Sequence, residues 1–404
     1  AGAWCGQNKY LSAIKNAFQN FMPLTIAGAI GVLWCNVLVN DQTGLGLFFK
    51  PIMALDFLNP AFQAVNFCTI SCITVGITLG IAQEIGVWNM GAERAGYIPG
   101  LVGLAAWLSV TNTSHMVEGA KEAFTGIAGN ELGATGLFTG MIIGVLSVEL
   151  FCFFEKQDAL KIKMPEQVPP GVARAFEVLV PATITLIITA CIGSACYNLT
   201  GLYLNDVIKN GIQGPLGAVG ATIPGVMIIY LVIMLFWLVG IHGNNMLSAV
   251  KEALFTPLAL ENVEKFNKGE KPTNIINMYA LQMWGEFGGS GVTIGLVIAI
   301  MIFGKREDNK AIATLSLVPG LFNINETVTF GIPMVLNPIL GIPFVFACLV
   351  TILVGYVLTV IGFCPVACLT VPWTTPPIVF GFLACGADVM GAVTQAILIV
   401  VSTV

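Results

Sequence analysis

Apolar residues in this chain do not alternate with polar ones; they run on in uncharged blocks separated by short charged clusters. The stretches Asn16–Asn40, Phe57–Gln83, Ala95–Ser114, Leu132–Val148 and Val178–Asn205 contain no Asp, Glu, Lys or Arg. Each is long enough for a helix of about 20 residues, the length that crosses a bilayer. Such runs recur along the whole length, so a cleaved signal peptide does not explain the first of them. The pattern predicts five plain spans before about Gln213, near 21–40, 61–83, 96–115, 134–154 and 179–199. Gly136, Gly140 and Gly144, four residues apart, suit close helix packing in the fourth. Between the fourth and fifth, "EKQDALKIKMPEQVPPGVARAFEVL" is charged, carries a Pro-Pro-Gly break and ends in a short amphipathic stretch. It reads as a cytoplasmic loop with a helix lying along the membrane surface.

Beyond residue 215 the texture changes. Ala221–Gly240 is a further span, followed at once by "IHGNNM", and "ENVEKFNKGEKPTN" reads as a charged cytoplasmic loop. Then come "MWGEFGGSGVTIGLVIAIMIFG", "KREDNK", "PGLFNINETVTFGIP" and apolar segments broken by "NPILGIP", "CPVACLTVPWTTPP" and "ACGAD". Many of these are too short or too interrupted to span cleanly. Non-helical backbone at membrane depth is tolerated only where protein or a water-filled cavity satisfies its polar groups. Broken apolar segments are therefore the best sequence pointer to a transport site.

Composition agrees with a membrane protein: 56% of the 404 residues are hydrophobic and 10% charged, against roughly 25% charged in soluble domains. Basic residues orient the chain. With a cytoplasmic N-terminus and alternating spans, Lys9, Lys15, Arg94, Lys156, Lys161, Lys163, Arg174, Lys251, Lys265, Lys268 and Lys271 fall inside, while Lys50, Lys121 and Lys209 fall outside. Lys305, Arg306 and Lys310 would need a re-entrant or additional segment between Met246 and Lys305 to fall inside as well. Basic residues spread over membrane-flanking loops argue against a nucleic-acid partner. Most of the eleven cysteines lie within apolar runs, where a thiol behaves as a small hydrophobe. Neither "CTISC" nor "CPVAC" has zinc-site spacing, and the chain has two histidines. No phosphate-cradling or dinucleotide motif is present, so neither cofactor nor metal is expected.

Polar residues in the second half are the candidates for function. A charged carboxylate costs about 2.5–3.5 kcal/mol at a helix centre, so Glu326 either marks a pathway or caps its turn. His242 reads as a site residue or as a helix end at the interface. Trp373, beside two hydroxyls and three prolines, reads as a binding wall or as an interfacial belt residue. Glu286 reads as a solvated loop residue. On these residues alone the chain is a transporter with a polar site in its C-terminal half.

The motifs "FMPLTIAGAI", "IHGNN", "GGSGVTIGL", "PGLFNINETVTFGIPMVLNPILGIPF" and "PWTTPPIVFGFLA", in this order, resemble the membrane-embedded sugar permease, enzyme IIC, of the bacterial phosphotransferase system. The branch they resemble is the lactose, cellobiose and N,N'-diacetylchitobiose type, and the resemblance covers essentially the whole chain. It implies an all-α polytopic protein of the bacterial cell membrane, a homodimer with about ten transmembrane helices and re-entrant hairpins per protomer. Residues 1–215 would form a five-helix dimer-contact domain, and residues 216–404 the sugar-binding and transport domain. A β-linked disaccharide would enter and be phosphorylated on its C6 hydroxyl by the phosphocysteine of a cytoplasmic enzyme IIB, recharged from enzyme IIA. The chain itself would be the permease subunit of a multi-component phosphotransferase. The resemblance places Glu326 and His242 at the C6 hydroxyl, with Gly243, Asn244, Gly289, Asn325, Trp373 and Thr374 around the sugar. It departs at Thr327, where the family usually has proline, and that leaves loop geometry and sugar preference open. A proton-coupled sugar transporter and a transport-inactive sugar sensor remain as alternatives.

Overall fold

The structure, a computed structural model, describes residues 8–41, 46, 49–115, 124–165, 167–215, 220–332, 334 and 337–404. It is helical apart from one antiparallel pair, β1 (Ser114–His115) against β2 (Phe124–Thr125), with Ser114 opposite Thr125. The chain divides into two compact units, one of residues 7–23 and 71–216, the other containing 24–70 and 217–404. Helix α1 (Lys9–Leu33) runs from one into the other and ends in a π turn, Trp34–Leu38.

In the first unit, α3 (Ile73–Met90), α4 (Ile98–Val110), α5 (Ala134–Glu155) and α6 (Pro170–Thr200) pack side by side, followed by the short α7 (Leu204–Ile208). Small residues set the spacing. A Cβ added to Gly140 of α5 would lie 2.2 Å from Thr78 Oγ1 of α3, and one on Gly103 of α4 would lie 2.3 Å from Ala82 Cβ. In lipid, where apolar surface is not driven together by water, such close backbone contact supplies much of the attraction. Buried hydroxyls turn back on their own helices, as Thr185 does to Pro181 O and Thr189 to Thr185 O. Charges collect at one end: Glu155, almost fully buried, accepts from Arg94 at 2.8 Å and Arg174 at 2.9 Å, and both arginines also reach Glu177.

Several elements depart from the sequence pattern. The second expected span is broken in two: α2 (Asn59–Asn66) runs into a π turn at Phe67–Ser71, and α3 begins after Cys72. Thr69 lies in that turn, and its hydroxyl takes the carbonyls of Val65 and Asn66, competing with the backbone for them. The third stops at Val110, where Thr111 turns extended toward β1. The stretch expected along the membrane surface is the opening of α6: Pro170 stands in its first turn, where proline's missing N–H costs nothing.

The second unit holds α2 and α8 (Ile223–Leu238), α9 (Gly243–Asn267), α10 (Met278–Gly285), α11 (Thr293–Phe303), α12 (Glu307–Leu321), α13 (Glu326–Gly331), α14 (Pro338–Val360), α15 (Val379–Ala384) and α16 (Val389–Thr403). Here the region between Met246 and Lys305 is occupied by α9, α10 and α11, and "ENVEKFN" is the end of α9, not loop. Side-chain amides secure the irregular backbone. Asn262 and Asn277, both fully buried, donate to Asn274 O and Ala367 O. Gln395 of α16 accepts from the N–H groups of Ile378 and Gly381, each at 2.7 Å, and donates to Met283 O of α10.

Candidate functional site

The head of α9 is built by His242. Its Nδ1 accepts the Asn245 N–H at 3.2 Å and caps the helix. With Nδ1 engaged as acceptor, the neutral imidazole carries its proton on Nε2, which is then a donor. The ring lies on Trp237 with centroids 4.5 Å apart. Gly243 is required beside it, because a Cβ there would sit 2.0 Å from Ile233 O of α8. Asn244 follows, with its Oδ1 buried and without a partner among the described residues.

The loop 286–292 is the second part. Gly288, Gly289 and Gly291 have φ of 76°, 100° and 84°, and Val292 follows at 54°. Such a run of left-handed residues forms no regular ladder, and glycine enters it without a Cβ penalty. Side chains hold it instead. Asn323 accepts the Gly288 N–H through Oδ1 at 2.6 Å, and Asn325 donates to Ser290 O at 2.9 Å. A Cβ on Gly289 would meet Asn325 Cβ at 2.6 Å, so the two strands of backbone touch. Gly291 abuts Met234 of α8, one turn before the Trp237 that carries His242.

The third part is the segment 372–377. Asn323 Nδ2 donates to both Trp373 O and Thr375 O, so one amide ties this segment to the glycine loop. Thr374 is exposed, and Trp373 is 45% exposed. The structure thus brings Gly289, Asn325 and Trp373 together through Asn323, and groups His242, Gly243 and Asn244 at the head of α9. Asn325 is 3% exposed, and its amide nitrogen is spent on the loop. The backbone of Glu326 opens α13 directly after Asn325. Its side chain lies outside the described residues.

Two residues were not read from the sequence as site residues. Glu286 is not a solvated loop residue: its Oε1 accepts from Lys251 Nζ and from the Tyr230 hydroxyl, the latter at 2.6 Å. Asn323 adopts φ 62°, a conformation asparagine tolerates better than most. Its place in "PGLFN", after a Pro-Gly turn signal, was the available hint. Among the described residues no three His, Cys, Asp or Glu side chains converge as metal ligands.

Among the described residues four helices are long and apolar enough to cross a bilayer, and a fifth span follows if the broken pair Lys50–Ser71 and Ile73–Met90 counts as one. With a polar site built on broken helices, the class is an integral membrane transporter. The profile of the family "Phosphotransferase system, EIIC" matches residues 15–348, and the chain belongs to that family. It is 33% identical over 395 residues to the oligo-beta-mannoside-specific EIIC component of Bacillus subtilis (strain 168), covering 96% of this chain and 86% of the relative. It is 29% identical to the cellobiose-specific EIIC component of Lactococcus lactis subsp. lactis (strain IL1403), covering 99% and 92%. The crystal structure of ChbC, the IIC component from the N,N'-diacetylchitobiose-specific phosphotransferase system, superposes with a TM-score of 0.90 at 29% identity, covering 99% of this chain and 92% of that one.

Proposed function

We propose that this EIIC component imports a β-linked disaccharide of the cellobiose and diacetylchitobiose type and presents its C6 hydroxyl to a phosphocysteine on enzyme IIB. The observation that carries the reading is the Asn323 clasp. It holds the main chain of Trp373, a half-exposed tryptophan, to the glycine loop. A flat apolar wall with few placed polar groups is how a pyranose is gripped. Trp373 takes the apolar face of a ring, and Thr374 and Asn244 take hydroxyls. The Glu326 carboxylate orients the C6 hydroxyl and accepts its proton as the phosphoryl group arrives. The Nε2–H of His242 completes the grip on that hydroxyl or on Glu326. Alignment and charge stabilisation are most of what a protein contributes to phosphoryl transfer, so placement of these groups matters more than their basicity. Asn325, Gly289 and Gly243 shape the site through backbone.

The same reading makes the protein a homodimer of about ten spans per protomer with re-entrant hairpins and a cytoplasmic N-terminus. Residues 1–215 are the dimer-contact domain and 216–404 the sugar-carrying domain; a boundary between compact units falls at residue 216, while residues 24–70 group with 217–404. Enzyme IIA serves it indirectly by recharging IIB.

The test is uptake of labelled disaccharide into proteoliposomes with and without charged IIB inside, for the native chain and Glu326→Gln. Sugar phosphate accumulating only with the partner, and falling at least a hundredfold in the variant, is the expected result. Proton-driven accumulation of free sugar without any partner overturns it.

A further inference from the structure

Lys251 and Glu286 form an ion pair that the mechanism above does not use. Lys251 is 4% exposed and Glu286 16% in their side chains. The same carboxylate oxygen accepts from the Tyr230 hydroxyl at 2.6 Å, and the lysine ammonium lies 5.5 Å from the centre of that tyrosine's ring. Withdrawing two charges from water is costly, and an apolar pair of similar volume often stabilises as well. Packing alone therefore does not account for the triad.

Its three members come from α8, α9 and the start of the glycine loop, which support two of the three parts of the site. Tyr230 lies on α8, two turns before the Trp237 that supports His242. Lys251 lies on α9, the helix that His242 caps. Glu286 closes α10 and begins the glycine loop, whose other end is clasped by Asn325, the residue before Glu326. Lys251 is nine residues into the helix from His242, a rise of about 13 Å, so it acts on the site through the frame and not by touching sugar.

We propose that Lys251, Glu286 and Tyr230 are positioning residues that lock the His242 end of α9 and the loop holding Glu326 into one frame. They set the alignment of the C6 hydroxyl for phosphoryl transfer more than the affinity for the sugar. The inference rests on the function proposed above. The glycine loop has little regular backbone bonding of its own, so its placement depends on anchors at both ends. Asn323 and Asn325 are the anchors on the Glu326 side, and Glu286 is the anchor on the His242 side.

The test uses the full chain in nanodiscs, with cellobiose and diacetylchitobiose as probes. Sugar Kd is measured by calorimetry, and turnover with charged IIB as sugar phosphate formed. Lys251→Met and Glu286→Gln each lower turnover ten- to a hundredfold, with Kd within threefold of the native chain. The double variant is no slower than the slower single variant, Lys251→Arg recovers part of the loss, and Tyr230→Phe loses three- to tenfold. Native turnover in the single variants, a Kd that weakens in step with turnover, or additive losses in the double variant each overturn the proposal. Should the charge variants fail to fold, Tyr230→Phe decides, and native turnover there overturns it. Glu326→Gln run alongside separates the two readings. If it keeps turnover, the proposed function fails; if it loses turnover while the triad variants do not, only the triad inference fails.

Discussion

Asn323 makes three hydrogen bonds from one side chain, accepting from Gly288 N and donating to two carbonyls of the segment 372–377. Each such bond contributes about 1 kcal/mol net, and the groups left behind cost more when buried. Asn323→Gly keeps the left-handed backbone and loses the clasp, so it destabilises by about 3 kcal/mol. Asn323→Asp keeps the acceptor but turns a carboxylate oxygen toward two carbonyls, and it destabilises further than glycine does. Thermal unfolding of the solubilised protein followed by size-exclusion chromatography ranks the two, and equal midpoints would rule out the electrostatic part of the argument. Strain gathers around the same loops. Val292 and Ile378 are β-branched residues at φ 54° and 76°, a placement costing on the order of 1–3 kcal/mol each that persists only where the surroundings enforce it.

At the scale of the element, α8 shows why apolar runs can be found in a sequence while their inner faces cannot. Every residue of "IPGVMIIYLVIMLFWL" suits lipid, yet Val226, Tyr230, Ile233, Met234 and Trp237 are buried while Ile228, Leu231, Val232 and Leu235 are exposed. Binary patterning assigns faces only when one face meets water. Runs and breaks were therefore legible: Leu132–Val148 and Ala221–Gly240 became α5 and α8. The interruptions were not. The break between α2 and α3 falls within an uncharged run, and α6 begins at Pro170 inside a stretch that reads as loop. In the site, Glu286 was misread because its partners, Lys251 and Tyr230, are 35 and 56 residues away in sequence. Gln395 is a similar long-range element clamp, fully buried and joining α16 to α10 and to the start of α15. Gln395→Leu strands two N–H groups and a carbonyl, each worth about 1–3 kcal/mol when buried unpaired. It should lower the unfolding midpoint of the solubilised protein, and an unchanged midpoint would show that the clamp is packing alone.

For the whole molecule, the arrangement of basic residues predicts sidedness. Lys163 is exposed in the segment between α5 and α6, where Lys161 pairs with Asp158 at 3.1 Å. Trypsin added to sealed inside-out vesicles should cut there, and trypsin added to right-side-out vesicles should leave it intact. Cleavage from the outer side would reverse the assigned orientation. Within the second unit, the clasps have a consequence for how such a protein changes over generations. Asn323 and Asn325 grip the main chain of Ser290, Trp373 and Thr375, and make no use of what those residues carry on their Cβ atoms. The frame is thus indifferent to the identity of the residues it frames. On the proposed function, substitutions at the exposed positions 373 and 374 can be selected toward a different guest without dismantling the scaffold, so a lineage can exchange one sugar for another in single viable steps.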